Sequence, residues 1–128
     1  MNSKDTDDDI IGDDGTGAAH LGQITAARNG TIFKGRINCV EVPVGGTTDI
    51  ALWAATEATG VEDTLISALT ATELIQSQND STPWELDDNL RIPTLPAAGK
   101  YLYLVVDGAG VDDVYSAGQF LIEFWGVT

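Results

Sequence analysis

Few side chains in this sequence are of the kinds that do chemistry, and their spacing decides what they can do. His20 is the only histidine among 128 residues, so a Ser-His-Asp arrangement would have to be built on it, and no nucleophile-elbow motif accompanies it. Cys39 is the only cysteine, which excludes a disulfide within the chain and a thiolate metal cluster; in its alternating apolar run it reads as a small buried hydrophobe. Asp5, Asp7 and Asp9 are spaced like the opening of a calcium loop. The sixth position of that loop, where glycine is required, is Ile10, and the twelfth, where a bidentate acid is required, is Thr16. The pairs Glu62-Asp63 and Asp112-Asp113 fall in loops, where adjacency signals solvation rather than an acid and a base sharing a substrate. Glu123 is a lone acid in an apolar final strand, on a face with Leu121 and Trp125. With no set of catalytic partners the chain is read as non-enzymatic and without a cofactor. Calcium is the one ion its acidic loops, at 56–79, 79–88 and 107–115, could hold.

Any site must be positioned by strands. From Ala18 onward, short runs of β-branched and aromatic residues are punctuated by turn residues, which predicts a single antiparallel β-sandwich, jelly-roll or immunoglobulin-like, of about eight strands. A first strand is expected over 21–26, then a hairpin-type turn at Asn29-Gly30. The next strand, 31–42, sets Phe33, Ile37 and Cys39 on one face and Lys34, Arg36 and Asn38 on the other. The run 49–55 is apolar on both faces, so Trp53 belongs either to the core or to a contact with a loop or neighbouring subunit. Residues 56–79 read as mixed, with about two helical turns around Val61 to Leu69 and a strand near 70–75. A polar loop over 79–88 carries Trp84, either capping the core or stacking on a partner. A short strand over 89–95 and a turn over 96–99 precede strand 100–106, which sets Leu102, Leu104 and Val106 against Tyr101, Tyr103 and Val105. The closing strand, 119–127, turns Phe120, Ile122 and Phe124 inward.

Charge separates residues 1–17 from 18–128. The first stretch carries six aspartates and three glycines, with Ile10 and Ile11 as its only sizeable apolar groups, too little to offset the entropy of ordering it alone. It is expected to be a flexible, extended acidic arm on a β-sandwich domain, either a solvated tail or a tether docking through Ile10 and Ile11 on a basic neighbour. The whole chain has twenty acidic and six basic residues, for a net charge of −14, which opposes binding to nucleic acid or to anionic membrane surfaces. No apolar run approaches the roughly 20 residues that span a bilayer. The N-terminus also lacks the features of a secretory signal, so a soluble protein made in a cytoplasm is expected.

The stretches NGTIFKGRINCVEVPVGGTTDIALWAAT, LPAAGKYLYLVV and YSAGQFLIEFWG resemble small β-sandwich virion proteins of tailed phages, particularly head-decoration proteins of marine phages. The resemblance implies a protein that attaches in many copies to the exterior of a capsid shell, with the major capsid protein or other virion subunits and further copies of itself as partners. On that reading Ile10, Ile11, Trp53 and Trp84 are the expected interface residues. Two alternatives are a carbohydrate-binding module that stacks sugars on Trp84, Trp53 or Tyr115, and a tail or fibre subunit.

Overall fold

The computed structural model describes residues 1–15, 17–76 and 83–128, so Asp80 and part of the loop expected over 79–88 lie outside the described residues. Along the chain run β1 (Asn2–Ser3), β2 (Gly22–Gln23), the helical turn α1 (Ala26–Asn29), β3 (Thr31–Val44), β4 (Ile50–Ala55), β5 (Ala71–Ile75), β6 (Asn89–Arg91), β7 (Tyr101–Val106), β8 (Asp113–Val114) and β9 (Ala117–Val127). All pair antiparallel. They make a four-stranded sheet ordered β2-β7-β4-β5, a three-stranded sheet ordered β6-β3-β9, and a ribbon of β1 with β8. The expected all-β sandwich is what forms.

Period-two alternation builds the core. Ile37 and Cys39 from β3, Leu52 and Ala54 from β4, and Leu102 and Val106 from β7 are buried between the two sheets, with Phe120, Ile122 and Phe124 of β9 packed on them. Each large apolar side chain buried this way contributes about 1.5–3 kcal/mol. Phe33 departs from its expected place beside Ile37 and Cys39. The β3–β9 register shifts between Ile32 and Lys34, so Phe33 becomes the extra residue of a bulge and is 56% exposed, while Ile32 takes the core-facing position. At Gly35 an added Cβ would lie 2.8 Å from the Phe124 ring; the glycine makes room for that aromatic. Asn29-Gly30 also differs from expectation. Thr25 accepts from the Arg28 N–H at 3.3 Å and starts a helical turn, which Gly30 ends at φ 62°.

Residues 1–15 are not a free arm. Residues 8–11 run along the open edge of β7, where Ile11 N donates to Leu104 O at 2.9 Å, Asp8 N to Val106 O at 3.0 Å, and Val106 N to Asp9 O at 2.9 Å. The rest of that edge is taken by the β2 segment, through Leu21 N to Leu102 O and Ile24 N to Lys100 O, both 2.8 Å. Because successive residues of an extended chain face opposite ways, Ile11 enters the core between the sheets, whereas Ile10 joins Tyr103, Val105 and Ile66 on the far face of the four-stranded sheet. Both isoleucines are at most 1% exposed. An arm judged too poor in apolar groups to order itself is ordered because its backbone completes an edge that would otherwise be unpaired.

The far face of the four-stranded sheet carries a second cluster. Trp53, Ala55, Ala71, Tyr101, Tyr103 and Val105 are covered there by Ile10, Ala19, Ile66 and Leu69 of the same chain. Loop 56–70 contributes this cover through a single 3-10 turn, Ile66–Ala68, followed directly by β5, rather than the two helical turns expected. The two apolar faces of 49–55 are thus both satisfied within the chain, one by the opposite sheet and one by the loop and N-terminal segment. The molecule has three layers.

Candidate docking cleft at one end of the sandwich

The β1–β8 ribbon is fixed by buried hydroxyl groups. Ser3, with no exposed surface, accepts from Thr47 N at 2.9 Å and donates to Val111 O at 2.6 Å, while Thr47 Oγ1 accepts from Val111 N at 2.8 Å. Tyr115 closes the arrangement by donating its hydroxyl to Thr47 O at 2.7 Å. Gly46 lets the chain pass this closely, since an added Cβ would lie 2.5 Å from Ser3 Oγ and 2.7 Å from the Tyr115 ring. Burial pushes the Tyr115 phenol up to about 12, against a smaller opposing pull from the Ser3 hydroxyl. It is a fixed neutral donor at physiological pH.

Beside this ribbon the two sheets part and leave a cleft of about 320 Å³, lined mainly by Met1, Ile11, Pro43, Ile50, Leu104, Tyr115 and Phe120. Val44 and Val114 stand at the same end and are 52% and 57% exposed; Val44 pairs with Ala117, itself part of the lining. Such an opening accepts an apolar side chain or short apolar segment. Its chemistry is packing. Among the described residues no three acids or histidines come together as metal ligands.

The four expected interface residues have different places. Ile11 forms part of the cleft wall from inside the core. Ile10 lies in the second cluster, and neither isoleucine offers a free docking surface. Trp84 takes the core-capping alternative and not the stacking one. It is 1% exposed, donates Nε1 to Ile50 O at 2.7 Å and meets Phe120 edge-on at 5.3 Å, so it seals the sandwich from inside instead of projecting from a loop. Trp53 is partly buried in the second cluster, and among the described residues its Nε1 has no acceptor. His20 packs nearby, 4.9 Å from the Tyr101 ring. Ser3 and Thr47 were not legible as site-forming residues, because isolated hydroxyls carry no pattern. Tyr115 is legible as an aromatic able to stack on a ligand, not as the donor that closes the ribbon. Comparison of this chain with protein-family models, with curated protein sequences and with solved structures finds no match.

Proposed function

We propose that this chain is a non-enzymatic virion structural protein that decorates the exterior of a phage head, seating its apolar end on the major capsid protein. The observation that carries the reading is the open apolar cleft beside β1 and β8, flanked by exposed Val44 and Val114, on a sandwich whose N-terminal segment and last strand are both tied into sheets. A scaffold that must survive on a shell benefits from ends that do not fray, and one apolar side chain per copy seated in a preformed cleft gains strength from the many copies of a lattice. The resemblance of 29–56, 95–106 and 115–126 to phage decoration proteins points the same way. A glycan-binding reading loses its first stacking residue, since Trp84 lies inside the core.

Co-sedimentation with empty capsids is the test. Wild-type chain is expected in the capsid pellet at saturable stoichiometry, and Val44→Asp/Val114→Asp, which alters only exposed side chains, is expected to stay folded and remain in the supernatant. Equal pelleting of the variant, or none of the wild type, contradicts the reading.

A further inference from the structure

The uncovered face of the β6-β3-β9 sheet has the opposite electrostatic character from the rest of the molecule. Only six residues of the chain are basic, and three of them, Lys34, Arg36 and Arg91, stand on this face. Ile37 and Cys39 point inward, so the alternating positions 34, 36 and 38 point out, and pairing brings Arg91 directly opposite Arg36 on one side and Glu123 opposite Arg36 on the other. Lys34 lies over the Trp125 ring, its Nζ 4.6 Å from the centroid. Arg36 Nε donates to Asn89 Oδ1 at 2.7 Å, which ties the side chain across to β6. Among the described residues the salt bridges do not involve these three bases. Two arginines directly opposite one another repel, and a carboxylate from outside would relieve that repulsion with bidentate contacts. Exposed Leu121 and Val40 flank the bases with apolar surface.

The other side of the molecule is acidic. The layer that covers the four-stranded sheet is made of the N-terminal segment and loop 56–70; it exposes Asp5, Asp7 and Asp63, with Asp8 and Glu62 half-buried and Asp9 buried behind them. Its only bases are Lys4, already shared between Glu62 at 3.5 Å and Asp112 at 3.3 Å, and the amino terminus, which pairs with Asp13. Burial and mutual repulsion raise the carboxyl pKa of Asp8 and Asp9, as expected where too many like charges share one surface. Three layers therefore separate a basic-aromatic face from an acidic one.

We infer that the β6-β3-β9 face is a docking surface for a second copy of this chain, which presents its acidic layer to Lys34, Arg36 and Arg91. The contact is head-to-tail, so each copy keeps one free face of each sign and assembly continues to a ring or an open row. Net charge of −14 opposes this at a distance, but at physiological salt repulsion is screened beyond about 8 Å while pairs in contact persist. The inference does not rest on the capsid reading, because it concerns purified chain alone.

Sedimentation velocity of the full chain over a concentration series tests it. In 0.15 M salt the mass is expected to rise above the 13.5 kDa monomer with concentration, and 1 M salt is expected to return it to monomer. Arg36→Glu/Arg91→Glu, with circular dichroism and melting unchanged, is expected to weaken association at least about tenfold. Asp5→Lys/Asp63→Lys, accepted only with circular dichroism and melting unchanged, is expected to do the same from the other side. Mixing the two variants is the decisive arm. The mixture restores complementary faces between unlike chains, so it should associate where each variant alone does not. Wild type that stays monomeric overturns the inference, including the case in which it binds poly-glutamate and the face belongs to another acidic protein. Arginine variants that associate normally, or a mixture that forms no dimer, overturn it equally.

Discussion

The Ser3 hydroxyl is the smallest group on which much of this molecule depends. It is fully buried and satisfies both Thr47 N–H and Val111 C=O, so Ser3→Ala leaves a donor and an acceptor unpaired and is expected to cost about 1–3 kcal/mol, read as a lowered urea midpoint with an unchanged slope. Asp9 works in the opposite sense. Its carboxyl is held above the usual value of 3.8, by burial first and by Asp63 second. A carboxyl whose pKa is higher folded than unfolded favours the folded state when protonated, and that contribution is lost as pH rises through the range between its unfolded and folded pKa values. Asp9→Asn is therefore expected to raise the melting temperature at pH 7 and to leave it nearly unchanged near pH 3.5. An equal effect at both pH values would show that repulsion at Asp9 is not what the substitution relieves.

At the scale of elements, the N-terminal segment behaves as an edge strand, and its removal has a definite consequence. Deleting residues 1–11 exposes the β7 edge and withdraws Ile10 from one cluster and Ile11 from the other. Ile10→Ala and Ile11→Ala are each expected to cost about 2–5 kcal/mol, and the deletion more than either; a melting temperature unaffected by truncation would restore the free-arm reading. Much of the sheet framework was legible in the sequence. Alternation in β7 told that Leu102 and Val106 face one way and Tyr103 and Val105 the other, and the inward set Phe120, Ile122 and Phe124 was read from β9 alone. The N-terminal segment was not legible, because two adjacent isoleucines show no period and their backbone partner is more than ninety residues away, at Leu104–Val106. Phe33 was misplaced because a bulge changes the face without changing composition. For the candidate cleft, the sequence marks Ile11 as a binding residue and Tyr115 as an alternative; Ile50 and Leu104 look like any strand residue, and Pro43 reads as a strand end although β3 continues through it to Val44.

The whole molecule has a direction. One end carries the apolar cleft with Val44 and Val114, and the two broad sides carry opposite charge, Lys34, Arg36 and Arg91 on one and the Asp5–Asp9 stretch on the other. Under the proposed function this arrangement would point the end at the capsid and the sides at neighbouring copies. Trp53 lies between two sheltering layers in this scheme, so Trp53→Asp is expected to unfold the chain rather than merely block assembly; a folded variant that no longer assembles would place Trp53 at an interface instead. The most direct measurement is electron cryomicroscopy of empty capsids saturated with the purified chain. The account predicts density for a sandwich standing on the shell by its Val44 and Val114 end. Density seated through the acidic N-terminal layer, or capsids left bare, would contradict it.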